Sequence, residues 1–298
     1  MTSGITGFTR RRIAVNGICL SVHEAGAGAP LVLLHGFPQN HMTWAPVAPT
    51  LARQFRVIVP DLRGYGDSDA PPDDAAHSVY SKRTMAADIV ALLDHLGLPR
   101  AHVLGHDRGA RVAYRMALDH PGRVARLGII EIVPTGDFWA AWGADLALAA
   151  YHWTFLAQPA PLPERMIGAD PDAYVDHTLL SWTLARSLDV FSPAALDSYR
   201  AQARDPAHLS AMCADYRAGA TFDRALDEAD KAAGRQIAAP LRFLYARSGF
   251  PARTGDPAGA WRGWAPNVET AACDSGHFVI EENPKAVLDT YLAFFAAP

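Results

Sequence analysis

The stretch Leu104-Gly-His-Asp-Arg-Gly-Ala-Arg-Val-Ala-Tyr-Arg115 (LGHDRGARVAYR) decides how this chain is read. It begins at the end of Ala101-His-Val-Leu104, an apolar run that reads as a buried strand. Residues 108–120 after it read as a helix. Gly105 and Gly109 frame Asp107 between the two. Glycines at these two places allow a strained turn that lifts the central side chain above the end of a sheet. Arg108 and Arg111 are three residues apart, so they share one face of the helix beside it.

Working outward, the same alternation recurs. Residues 11–25 alternate apolar and polar around Asn16-Gly17, a hairpin signal. Pro30-Leu-Val-Leu-Leu34 ends in His35-Gly36 and reads as a strand buried on both faces, and Val57-Ile-Val-Pro60 reads likewise. A helix is predicted from about Ser81 to Leu96, with Met85, Ile89, Leu92, Leu93 and Leu96 on one face and Gly97 as its C-terminal cap. Leu127-Gly-Ile-Ile130, Leu241-Arg-Phe-Leu-Tyr245 and Val268-Glu-Thr-Ala271 supply further strands, and a last helix starts at Asn283-Pro284. Strands alternating with helices predict an α/β fold: a mostly parallel central sheet with helices on both faces. Residues 135–235 break the pattern. They carry helical periodicity and four tryptophans, Trp139, Trp142, Trp153 and Trp182. The expected organisation is therefore a core of 1–134 and 236–298 with a helical cap, 135–235, inserted in it.

Composition narrows the function. Of 298 residues, 50% are hydrophobic and 19% charged, enough for a large packed core. A net charge of −4 is too mild for a nucleic-acid or membrane-surface partner. Cys19, Cys213 and Cys273 are scattered and form neither a disulfide framework nor a zinc spacing, which fits a reducing cytoplasm. The first 17 residues lack a signal-type apolar core, and no stretch reads as a membrane span. The expectation is a soluble cytoplasmic protein acting on a small molecule, without cofactor or metal.

A carboxylate at the turn is ionised near neutral pH and needs no base to act as a nucleophile. His277, in Asp274-Ser-Gly-His-Phe278, follows the last predicted strand and suits a general base that activates water. Glu131 ends the strand after the turn's helix and could accept the Nδ1 proton of His277; Asp256, after Tyr245, is a rival for that role. The backbone N–H groups of Phe37, in His35-Gly-Phe-Pro38, and of Arg108 are candidate oxyanion donors. Singly, Asp107 reads equally as a helix N-cap, Glu131 as a surface strand end and His277 as a loop histidine. Their order along the chain, nucleophile, acid, histidine, favours catalysis.

In these residues the sequence resembles the α/β-hydrolase superfamily, in the branch with an Asp nucleophile that includes haloalkane dehalogenases, epoxide hydrolases and fluoroacetate (haloacetate) dehalogenases. The resemblance covers nearly the whole chain and is most specific for the last group, in 105–119, 151–164 and 215–219. Haloalkane dehalogenases and many epoxide hydrolases place Trp directly after the nucleophile, where this chain has Arg108. The resemblance implies hydrolytic dehalogenation of a short 2-haloacid through an ester on Asp107, with Arg108 and Arg111 gripping the substrate carboxylate. It implies halide-binding donors at His152, Trp153 and Tyr216, and a homodimer. Trp182, Phe37 and Phe138 are candidate pocket walls. An epoxide hydrolase using Tyr151 and Tyr216, and a non-catalytic binder of small acids, are the alternatives. One departure stands out: the dehalogenases carry Asp where this chain has Glu131.

Overall fold

The computed structural model describes residues 4–297, so the outermost ends of the expected core, 1–3 and 298, lie outside the described residues. Eight strands form one sheet in the order β1-β2-β4-β3-β5-β6-β7-β8. They are β1 (Thr9–Val15), β2 (Ile18–Ala25), β3 (Ala29–Leu34), β4 (Phe55–Pro60), β5 (Ala101–His106), β6 (Val124–Ile130), β7 (Leu241–Ala246) and β8 (Glu269–Cys273). The pair β1–β2 closes through Asn16 and Gly17, both at positive φ, as the hairpin signal requires. β2 runs antiparallel to β4, and every pairing from β4 to β8 is parallel.

The central strands are apolar because both faces are covered. Leu31, Val32, Leu33 and Leu34 on β3 are fully buried, Leu31 and Leu33 toward one cluster and Val32 and Leu34 toward the other. The helix Lys82–His95 starts on Ser81, whose hydroxyl accepts the Thr84 N–H, and stops at Gly97 in the left-handed region. The helix Pro284–Ala296 is capped by Asn283, and its Val287, Tyr291, Phe294 and Phe295 are buried in the second cluster.

Between β6 and β7 the chain leaves the sheet and runs through eight helices, from Thr135–Ala140 to Phe222–Ala232. No strand interrupts them among the described residues. This insert rests over the C-terminal ends of the strands, where open α/β sheets place their ligands. Its hold on the sheet is partly ionic. Asp215, on the insert helix Pro206–Ala220, receives Lys82 and Arg108 from below, and Asp227 and Asp230 receive Arg115. No described helix is long and apolar enough to cross a membrane.

Candidate active site

Asp107 is the first residue of the helix Asp107–Asp119 and has φ +46°. Such a conformation costs a non-glycine residue about 1–3 kcal/mol and persists only where its surroundings enforce it. The two flanking glycines show how. A Cβ on Gly105 would lie 2.5 Å from the Cα of Ala110, and one on Gly109 would lie 2.3 Å from the carbonyl oxygen of His35. The elbow closes only because both side chains are missing. Its product is a buried carboxylate whose Oδ2 accepts the Phe37 N–H at 2.9 Å. The Arg108 N–H, the other expected donor, lies in the first turn of the helix, where backbone donors lack intrahelical partners.

Burial works to raise the Asp107 pKa, and its electrostatic interactions with His277, His106, Arg108 and Arg111 more than offset it. The carboxyl is held below its ordinary range and is anionic. Burial pushes His277 down to about 3, against a smaller upward pull from Asp107, so this imidazole is neutral near pH 7 and free to take a proton. Both His277 ring nitrogens lack a hydrogen-bond partner among the described residues. The backbone holds the ring in place: His277 N–H donates to the carbonyl of Trp182 at 2.8 Å, and the His277 carbonyl pairs with His106 Nε2 at 2.9 Å.

Glu131 departs from the expected arrangement. It follows β6 at φ +60°, and its Oε1 is 3.8 Å from His277 Nδ1, too far for a hydrogen bond. Its oxygens accept instead the N–H groups of Ala246, 2.7 Å from Oε2, and Phe250, 3.0 Å from Oε1. The physical reason is length: one more methylene than Asp carries the carboxylate beyond the imidazole into the turn after β7. Burial raises the Glu131 pKa well above the ordinary value, against the pull of those two N–H donors. Asp256, the rival acid, is an exposed cap that accepts the Gly259 N–H and pairs with Arg262.

The arginines have unequal surroundings. Arg108 is fully buried; its Nε donates to Asp215 Oδ2 at 3.1 Å and its Nη2 to the Asp215 carbonyl at 2.7 Å. Lys82 meets the same carboxylate and Tyr65 O–H donates to it, so two cations share one anion, with Asp223 beside Lys82. Arg108 Nη1 has no partner among the described residues. Arg111 donates through Nη1 to the carbonyl of Val133 and the hydroxyl of Thr135, and its Nε is unpartnered. Each guanidinium lies over aromatic rings: Arg108 is 4.3 Å from the centroid of Tyr216, and Arg111 is 4.6 Å from that of Trp153.

The three residues of the insert pack against one another, but only His152 and Trp153 line the chamber that Asp107 lines; Tyr216, like Arg108, is not part of its lining. The His152 ring is 5.5 Å from Tyr216, and Trp153 is 6.1 Å from Tyr216. His152 Nδ1 has no partner among the described residues, and burial drives its pKa well below the ordinary value, so it is neutral. Phe138 stacks on Trp153 at 4.3 Å, Phe37 meets Tyr216 edge-on at 5.1 Å, and Trp182 lies 4.2 Å from His152. Asp107, Arg111, Glu131, Phe138, His152, Trp153 and His277 enclose a chamber of about 10 Å³, barely room for a water molecule. A more open vestibule of about 610 Å³ shares His277 and Phe250 with it and is also lined by Trp182, Tyr151 and Arg253.

Sequence reasoning missed Phe250, which lines both spaces and sits 5.1 Å from the His277 ring. Nothing in its local sequence, Ser248-Gly-Phe-Pro251, signals this. Asp215 and Lys82, which hold Arg108, were also missed as site residues, because they lie 107 and 26 positions away from it along the chain.

Residues 29–284 match the family described as the α/β hydrolase fold. A fluoroacetate dehalogenase from Burkholderia sp. is 42% identical over 278 residues, covering 93% of this chain and 90% of that one. A soluble epoxide hydrolase from Corynebacterium sp. (strain C12) is 36% identical over 296 residues and 98% of both chains. The solved structure of ALR0039, a candidate α/β hydrolase from Nostoc sp. PCC 7120, superposes with a TM-score of 0.95 at 40% identity, covering 99% of this chain and 100% of that one. The chain belongs to the α/β-hydrolase family.

Proposed function

We propose that this α/β hydrolase cleaves the carbon–halogen bond of a short 2-haloacid, with fluoroacetate or another haloacetate as the simplest case, giving glycolate and halide. The observation that carries this reading is the pair of buried guanidinium nitrogens with no partner among the described residues: Arg111 Nε, on a residue that lines the chamber with Asp107, and Arg108 Nη1, on the residue next to Asp107 in the chain. A buried cation without its full set of acceptors is costly, and a substrate carboxylate supplies them. A neutral epoxide offers one oxygen and no charge to offset the two cations.

In this reading the two arginines hold the carboxylate and set the α-carbon in line with Asp107. Oδ1, the oxygen that Phe37 does not engage, attacks the α-carbon; the C–O bond forms as the C–halogen bond breaks and halide leaves. His152, Trp153 and Tyr216 stand where imidazole, indole and phenol donors can replace the ion's water. Neutral His277 then removes a proton from water, which attacks Asp107 Cγ. The oxyanion on Oδ2 keeps the Phe37 N–H bond, the Cγ–Oδ1 bond breaks, glycolate takes the proton from His277, and the Asp107 carboxyl releases the water's other proton to solvent. The helical insert acts as the cap of the chamber. A cytoplasmic homodimer goes with this reading, as the resemblance implies; sedimentation velocity reads the assembly.

The relatives named as epoxide hydrolases keep a second reading in view, with Tyr216 protonating an epoxide oxygen. Neither tyrosine lines the chamber, and Tyr151, the expected partner, lines the vestibule. Incubation with fluoroacetate, chloroacetate and styrene oxide separates the two: free halide supports dehalogenation, and diol without halide overturns it. In heavy-oxygen water, turnover must label the Asp107 carboxylate; label in glycolate alone would remove the ester.

A further inference from the structure

We propose that Glu131 and Gly249 are a matched pair. The missing side chain at 249 makes the slot in which the longer acid at 131 is seated, and that seat ties the catalytic acid to Phe250, the wall between chamber and vestibule. The proposal rests on the reading of His277 as base and Glu131 as its acid.

The slot is explicit. A Cβ on Gly249 would stand 1.6 Å from Glu131 Oε1, 2.5 Å from Cδ and 2.8 Å from Oε2, and these are the three nearest atoms it would meet. The ordinary reason for glycine is absent, because Gly249 is not in the left-handed region. Its backbone suits any residue; only the acid's carboxylate demands that the side chain be missing. Gly249 belongs to a tight turn, its N–H donating to the Ala246 carbonyl at 3.1 Å. The acid closes both ends of that turn through the Ala246 and Phe250 N–H groups. Displacing it leaves two backbone donors open and frees the segment that carries Phe250. Phe250 packs against His277 at 5.1 Å, Trp182 at 5.3 Å and His152 at 5.7 Å, so its backbone anchor bears on base, insert and access path together.

An aspartate at 131 would end one methylene sooner. Its carboxylate would withdraw from the slot toward the strand end, within reach of His277 Nδ1, and a side chain at 249 would then be tolerated. Residue 249 thus sets which acid length can serve the histidine.

Three variants of the full chain test this: Gly249→Ala, Glu131→Asp and the double substitution. Halide release from chloroacetate is the first readout, and the low-field proton resonance of His277 Nδ1–H with the Tm are the others. Gly249→Ala should lower kcat by about a hundredfold, as a displaced positioning group does. Adding Glu131→Asp should recover at least about a tenth of the activity of Glu131→Asp alone, and the Nδ1–H resonance should sharpen in both aspartate forms. Wild-type turnover in Gly249→Ala, or a double variant no better than it, would overturn the pairing. Should Gly249→Ala fail to fold, a folded double variant supports the pairing and an unfolded one overturns it. Should the wild type release no halide, the functional reading fails while the pairing is still read from the resonance and the Tm of the same proteins.

Discussion

Asp107 and Glu131 stand at the C-terminal ends of β5 and β6 and His277 in the loop after β8, whereas His152, Trp153 and Tyr216 stand on helices of the insert. The sheet side places its groups through backbone geometry. Asp107 and Glu131 both have positive φ, and hydrogen bonds to N–H groups and carbonyls hold the carboxylates and the histidine loop. The insert places its groups through side-chain packing, as a cluster of rings stacked on one another and on two guanidiniums. Backbone geometry gives a reactive atom a position that a neighbour cannot easily change. Ring packing gives a chamber its size and polarity, and these change whenever one ring is replaced. The difference predicts that the sheet side carries the chemistry and the insert the choice of substrate.

Four experiments sharpen or break that division. The largest effect is expected from Asp107→Asn. Turnover should fall by about 10⁴-fold or more, as for loss of a nucleophile, while the Tm holds or rises, because Asn tolerates the left-handed region. A Tm that fell with activity would show the elbow to be structural. Next comes Asp215→Asn, where the insert meets the sheet. Removing the anion between buried Arg108 and Lys82 should cost about 3–5 kcal/mol of stability in urea titration and raise KM for haloacids. An unchanged KM would remove Arg108 from the carboxylate grip.

A smaller, selective effect should follow Tyr216→Phe. Losing one donor to the departing ion should slow fluoride release by about tenfold, with bromide release from bromoacetate less affected, since fluoride depends more on donors that replace its water. Equal losses for both halides would return Tyr216 to a purely packing role. The smallest effect is on the pH dependence of stability. Burial holds His23, His35 and His102 at about 4 and His277 at about 3, below the ordinary 6.5. Between pH 6.5 and 4 the unfolded chain binds protons that the folded chain refuses, so stability is full above 6.5 and is lost as pH falls. All four lie on the sheet side, as does His106, which burial lowers too, while His152 on the insert is lowered in the same direction; the larger share of the effect therefore falls on the sheet. Acid should therefore lower the Tm by several degrees and raise hydrogen exchange in the sheet before the insert; exchange rising first in the insert would reverse the comparison.

The part that was legible in the sequence follows the same division. The elbow announces itself because a strained turn needs Gly105 and Gly109 at fixed offsets, and the strands because two buried faces demand continuous apolar runs. The positions of His152, Trp153 and Tyr216 carry no such local demand. They were found through resemblance alone, since any helix of similar periodicity folds as well. The distance of Glu131 from His277 was not legible either: the extra methylene is visible in the sequence, but Gly249, which gives it a place to go, is 118 residues away.

The chain by itself determined the alternation of strands and helices and the elbow, because these depend on residues within one turn or one strand of each other, and the order of Asp107, Glu131 and His277, which is read directly along the chain. Only the tertiary structure decided that Arg108 is held by Asp215 and Lys82, that Glu131 bonds the turn at Ala246 and Phe250 in place of His277, and that Phe250 divides chamber from vestibule. Each of these turns on a distance between segments far apart in sequence, and such distances are set by packing and the satisfaction of buried charge, which no short window of residues contains.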